Sequence, residues 1–131
     1  MTSIADTRLL LTLEFPPTEI LGAKIVSFIE KEIARQLFAP SIVLTEFIKH
    51  AGARIGEDAA ITRINVLKEK GLKILALDEK IALTAGSLLL SHSNVPISDA
   101  LIASYVKNGA AEYVITDDLH FKTLEVKTKW I

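Results

Sequence analysis

The feature that most constrains this chain is an alternation. Short apolar runs take turns with longer amphipathic stretches along its whole length. That pattern is expected of βαβ units wound around a parallel sheet. Residues Thr2 to Ala5 read as a short buried strand ending at Asp6. Thr7 to Glu14 is a short helix stopped by Pro16-Pro17. From Glu19 to Ala34 the residues Ile20, Ala23, Ile25, Phe28, Ile29 and Ile33 recur near a 3.6 period, which predicts a helix. Gln36 to Ala39 reads as a brief strand. Ser41 then reads as the N-cap of a helix running to about Ala51, before Gly52. Glu57 to Lys70 is a further amphipathic helix ended by Gly71, and Leu72 to Leu77 an apolar strand. Asp78 caps a helix to about Ser91, and Ser98 to Lys107 is a helix closed by Asn108-Gly109. Glu112 to Thr116 is a strand, and Val126 to Ile131 a last edge strand.

Bulk composition narrows the class. The 131 residues suit one domain, 1–131, with a single core. Half are hydrophobic, which excludes a disordered chain. The net charge of −1 carries no basic footprint of the kind nucleic-acid binders usually show. A local basic rim can still coexist with an acidic centre. The chain has no cysteine, so disulfides, thiolate zinc sites and a cysteine nucleophile are excluded. Residues Met1 to Arg8 lack the pattern of a signal peptide, and no run approaches the roughly 18 apolar residues of a membrane span. A soluble, cytoplasmic protein is the expectation.

In open parallel sheets, function gathers beyond the carboxyl ends of the strands. Asp6 directly follows the first strand, and Asp117 and Asp118 follow the strand at Glu112 to Thr116. Asp99 lies in the first turn of the helix before that strand, and Glu46 in the second turn of the helix begun at Ser41. Each has a plain structural explanation as well. Asp6 can cap a helix. Asp99 suits a helix dipole. Glu46 can pair with Lys49 or His50. Asp117-Asp118 can form a polar turn. Together, Asp6, Glu46, Asp99 and Asp118 raise a different problem. Two unit charges about 4 Å apart repel by about 4 kcal/mol at an effective dielectric of about 20. Four such groups in one crevice must either take up protons or hold a divalent cation. Oxygen donors without cysteine or clustered histidines favour magnesium or manganese over zinc.

At these residues the chain resembles the PIN-domain family, and within it the toxin ribonucleases of VapBC toxin–antitoxin pairs. The resemblance rests on Ile4-Ala5-Asp6-Thr7 followed by Leu9-Leu10-Leu11, on Ser41-Ile42-Val43-Leu44-Thr45-Glu46, and on Leu77-Asp78-Glu79-Lys80-Ile81-Ala82. Its strongest part is Ile97-Ser98-Asp99-Ala100-Leu101-Ile102-Ala103-Ser104, then Asn108-Gly109-Ala110, then Val114-Ile115-Thr116-Asp117-Asp118-Leu119-His120-Phe121. It spans nearly the whole chain in the family's order. It implies a three-layer α/β/α fold with a central parallel sheet of four or five short strands. It also implies a Mg2+- or Mn2+-dependent endoribonuclease, with Asp6, Glu46, Asp99 and Asp118 as catalytic and metal-holding acids. Thr116 would orient Asp118 through its hydroxyl. RNA would be the substrate, a small antitoxin protein the partner, and a homodimer the assembly. Three positions depart from the family pattern. Asp117 stands where asparagine is frequent, His120 where a further acid is common, and Arg8 where a small polar residue is usual.

Two other readings stay open at this point. One is a PIN-type nuclease acting in RNA processing or on flap-like DNA. The other is a PIN-like scaffold that binds without cleaving. The three histidines, His50, His92 and His120, show no metal-ligand spacing and read as surface or turn residues. Phe15, Phe28, Phe38 and Phe47 suit packing better than base stacking, and Trp130 reads as a packing anchor. Lys68, Lys70 and Lys73 suit a helix end, with an RNA phosphate contact as the alternative.

Overall fold

The computed structural model describes residues 2–131. The domain expected over 1–131 therefore has Met1 outside the described residues. Five short strands form one sheet: β1 (Ser3–Ala5), β2 (Leu37–Pro40), β3 (Lys73–Leu75), β4 (Tyr113–Ile115) and β5 (Thr128–Lys129). Their order is β3-β2-β1-β4-β5 and every pairing is parallel. Seven helices are described: α1 (Thr7–Glu14), α2 (Glu19–Arg35), α3 (Ser41–Ile55), α4 (Glu57–Lys70), α5 (Glu79–Ser91), α6 (Ile97–Lys107) and α7 (His120–Thr123). They flank the sheet as the outer layers of an α/β/α arrangement, the architecture expected from the sequence.

Parallel strands need crossover connections, and those crossovers cover both faces of the sheet. The central strands are accordingly apolar without alternation. Ile4, Ala5, Val114 and Ile115 are fully buried, as is Leu37 beside them. The strand order sets where a ligand can bind. The chain moves from β1 to β2 and β3 in one direction, then returns to place β4 on the other side of β1. The crevice at such a reversal, beyond the carboxyl ends of β1 and β4, is where open α/β sheets take ligands.

Several boundaries differ from expectation for identifiable reasons. Ser41 is the first helical residue of α3 and not its N-cap; Pro40 takes that place and makes no side-chain capping bond. The parallel register, pairing Pro40 with Leu75, keeps Pro40 extended. Gly52 does not end α3. The helix runs through it to Ile55 and stops at Gly56, whose φ of +94° suits a residue without a Cβ. A Cβ at Gly52 would make only ordinary contact with the start of α4, 3.8 Å from the Glu57 Cα. The expected edge strand at Val126 to Ile131 shortens to two residues. Between β4 and β5 the unforeseen helix α7 forms, packing Phe121 fully inside.

One buried charge was invisible as such in the sequence. Glu32 follows Ile25 and Ile29 along the inner face of α2 and is only 1% exposed. Tyr113 at the start of β4 donates its hydroxyl to this carboxylate at 2.5 Å. Lys129 on β5 approaches it at 3.4 Å and Arg35 at 3.8 Å. A buried carboxylate is tolerated when paired and hydrogen-bonded, and removing one partner is costly. This cluster joins α2 to β4 and to the two-residue edge strand. Tyr113→Phe is expected to lower stability by about 2 kcal/mol, seen as a lower urea midpoint at unchanged slope. An unchanged midpoint would show that the cluster adds nothing.

Candidate metal and nuclease site

The first acid is placed by β1. Asp6 follows the strand by one residue, 4% exposed, and its backbone N–H reaches the Ile115 carbonyl of β4 at 3.3 Å. Its Oδ1 accepts the Thr7 backbone N–H at 2.8 Å, which caps α1. Its Oδ2 accepts the Thr116 hydroxyl at 2.7 Å. The capping and functional readings of Asp6 therefore describe the same geometry. Thr116 meets Asp118 through its hydroxyl, as expected, by accepting the Asp118 backbone N–H at 3.0 Å, and the same hydroxyl also donates to Asp6. It acts on Asp118 through the backbone, because Thr116 is the last buried residue before the chain turns at Asp117.

Glu46 points toward the same crevice from α3. It does not pair with Lys49 or His50; the Thr7 hydroxyl donates to its Oε1 at 2.7 Å. Asp99, in the first turn of α6 and 7% exposed, faces inward. Its Oδ2 lies 3.0 Å from His120 Nδ1, and the same nitrogen lies 3.0 Å from Asp118 Oδ1. Asp118 also accepts the His120 backbone N–H at 2.9 Å. All four acids line one crevice of about 260 Å3 with Thr7, Arg8, Leu11 and His50. At its edge Asp99, Asp118 and His120 bring their donor atoms within 4.8 Å of one another.

Sequence reasoning missed two members of this arrangement. Thr7 was quoted only as part of a motif, yet it ties Asp6 to Glu46. His120 was assigned to a turn, yet it bridges two acids. Its signal was position alone: two residues after Asp118, at the start of α7. Asp117 does not enter the crevice among these acids; it forms an exposed ion pair with Arg8. That pair answers what Arg8, unusual at its position, does near Asp6.

The crowding has an electrostatic signature. Burial, above all, pushes the Asp6 carboxyl up to about 6, and the charges of Glu46 and Asp118 push the same way against the hydrogen bonds from Thr116 and Thr7. Burial first, then the charges of Asp6 and Asp118, raise Asp99 to about 6, opposed by His120. Asp6 feels Glu46 and Asp118 as like charges, and Asp99 feels Asp6 and Asp118, so the convergence is energetic as well as spatial. The donor set also fits a hard divalent cation. It offers carboxylate oxygens from separate elements, one imidazole nitrogen and no sulfur.

The sequence model of the PIN domain matches residues 5–127. The chain belongs to the PIN-domain family. Several solved structures share its fold. The Rickettsia felis VapBC2 complex, bound to a promoter DNA fragment, is 17% identical over 99% of this chain and 98% of that chain, with a TM-score of 0.79. Mycobacterium tuberculosis VapC20, a sarcin-ricin loop cleaving toxin, is 14% identical over 95% of this chain and 96% of that one, with a TM-score of 0.73. VapBC-1 of nontypeable Haemophilus influenzae is 21% identical over 100% of this chain and 97% of that one, with a TM-score of 0.70. No curated protein matches the chain in sequence. At these identities the likeness to this PIN protein is one of fold. Among its described residues, no helix is long and apolar enough to cross a membrane.

The raised carboxyls have a consequence for stability. An unfolded aspartate titrates near about 3.9, so between about pH 4 and 6 the native state binds more protons than the unfolded one. Stability from these groups is present below about pH 4 and is lost as pH rises through 6. Asp99→Asn removes one such group. In EDTA the variant should match wild type near pH 4 and melt about 5 °C or more higher at pH 7. A difference that does not grow with pH would overturn the crowding account.

Proposed function

We propose that this PIN-domain protein is a metal-dependent endoribonuclease, the toxin of a toxin–antitoxin pair, hydrolysing RNA phosphodiester bonds at Asp6, Glu46, Asp99 and Asp118. The observation that carries this reading is the convergence of the four acids at the reversal point of the sheet, two of them buried. Mg2+ or Mn2+ is the cation such oxygen donors favour. The Rickettsia and Haemophilus structures are of toxin–antitoxin complexes, and VapC20 is named for cleaving the sarcin-ricin loop. Those names support a small antitoxin as partner and RNA as substrate here. A single domain over 1–131, acting in the cytoplasm as a homodimer, completes the proposal.

A divalent cation bound at the acids supplies an activated water and stabilises charge building on a phosphoryl oxygen. The chain's own residues do the positioning. Thr116 and Thr7 fix both oxygens of Asp6, so its carboxylate cannot rotate freely. Thr7 also holds one oxygen of Glu46, which couples α1 to α3 across the crevice. Asp99 and Asp118 face each other through His120. His120 adds a nitrogen donor where the family pattern has an acid, so it belongs with Asp99 and Asp118 in the metal-holding group. The antitoxin would silence the enzyme by placing a basic side chain among these acids. A structure of the pair with no antitoxin residue in the crevice would contradict that mode of inhibition.

Cleavage of a mixed RNA pool tests the enzyme. Wild type should cut with Mg2+ or Mn2+ and not with EDTA, and Asp6→Asn and Asp99→Asn should each lose about 100-fold or more. Equal cleavage by wild type and both folded variants would remove the four-acid site. Activity confined to branched DNA would move the protein to the flap-nuclease reading. Metal binding has its own readout: Mg2+ should raise the melting temperature of wild type more than that of Asp99→Asn. Equal shifts would place the ion elsewhere.

A further inference from the structure

A larger cleft, about 680 Å3, opens beside the acidic crevice. Arg8, Leu11 and His50 line both, so the two are continuous. Its walls are two helix faces. Along α1, Arg8 and Leu11 are followed by Phe15 at the helix end, each about one turn from the last. Along α3, Glu46 is followed on the same face by Lys49, His50 and Arg54. The face that begins at an acid of the crevice thus ends at Arg54, about 12 Å farther along the axis at about 1.5 Å per residue.

The charge of this cleft reverses that of its neighbour. Arg8, Lys49, His50 and Arg54 line it against one carboxylate, Asp117. Asp117 is bound to Arg8. Among the described residues, Lys49 and Arg54 take part in no ion pair, and both are exposed. Arg54 has a specific posture: its guanidinium lies 3.8 Å from the centre of the half-buried Phe15 ring. With its Cζ over the ring, the planar guanidinium can offer a face for stacking and its edge N–H groups to an anion. A positive groove with a planar stacking surface is what single-stranded nucleic acid uses. A lone phosphate would need neither the length nor the platform. The cleft's volume falls in the range of sites for small-molecule-sized groups, about 300–1,000 Å3, enough for one or two nucleotides and too small for a duplex.

We propose that this cleft binds single-stranded RNA beside the bond held at the acids, stacking one base on the Arg54 guanidinium over Phe15 and meeting the adjoining phosphate with Lys49. Placing the scissile bond rests on the nuclease reading; strand binding by the cleft does not. His50 sits at the junction of the two clefts, where the strand passes from cationic walls to the acids. Arg8 contributes beside it, with its charge shared by Asp117.

The test uses Asp99→Asn protein in EDTA, so that no RNA is cut, and a short fluorescent single-stranded RNA of mixed sequence followed by anisotropy over a salt series. Adding Lys49→Gln and Arg54→Gln should weaken binding about tenfold or more. It should also flatten the dependence of log affinity on log salt, by about 0.7 for each phosphate no longer neutralised. Both side chains are exposed, and an unchanged melting curve establishes that the variant is folded. Arg54→Lys should keep the salt slope while losing part of the affinity, since the charge stays and the planar platform goes. Duplex RNA should compete poorly. Unchanged affinity and slope in the double variant, or equal binding of duplex and single strand, would overturn the proposal. The two readings fail separately. Loss of binding in the double variant, with no cleavage by wild type in Mg2+, would sink the nuclease and keep the cleft. Metal-dependent cleavage by wild type, with binding intact in the double variant, would do the reverse.

Discussion

The hydrogen-bonded placement of β1 between β2 and β4 is the constraint on which the rest of this structure depends. Three residues, Ser3 to Ala5, carry it. Because the strand is parallel to both neighbours, every connection must cross a face of the sheet, and helices cover both faces. Because β4 joins on the side opposite β2, the carboxyl ends of β1 and β4 open into a crevice. Asp6 stands at that opening, bonded to the Ile115 backbone through its own N–H and to Thr116 through its side chain. The same few atoms close the sheet, cap α1 and aim the first acid.

Stability and function pull against each other at this point. Burial lends Asp6 and Asp99 rigidity, and burial is also the main reason their carboxyls rise to about 6. A like-charge cluster of this kind is unfavourable to the folded chain near neutral pH unless a counter-charge arrives. Elsewhere the fold treats buried charge differently. Glu32 is as deeply placed, yet Tyr113, Lys129 and Arg35 surround its carboxylate. One acid is fully partnered inside the protein and serves architecture. The other cluster keeps an unfilled demand for positive charge, as expected of groups poised to bind it.

Much of the fold was legible because its signals are local. The helix at Glu57 to Lys70 ends at Gly71 as its glycine suggests, and Asp78 caps α5 through the Ile81 N–H at 2.9 Å. The misread boundaries share one cause. Gly52 looks like a stop only if the helix is considered alone; α3 continues through it and ends at Gly56, where φ is positive. Ser41 looks like a cap until the register of β2 on β3 claims Pro40 as the last extended residue. Phe15 reads as packing, and it is half-buried, but Arg54 lies across its ring from another helix. No window of sequence contains that pair.

The sequence by itself determined the kinds of elements, their order and the acids that follow the strands, since periodicity, caps and strand ends are properties of neighbouring residues. It also carried the family resemblance, which lies in the same local segments. Tertiary structure alone decided the partners. It set Thr116 on Asp6, Thr7 between Asp6 and Glu46, and His120 between Asp99 and Asp118. It also buried Glu32 beneath Tyr113 and set a cationic cleft against an acidic one. These contacts join residues up to 110 positions apart. Their identity depends on strand order and helix packing, which no local pattern specifies.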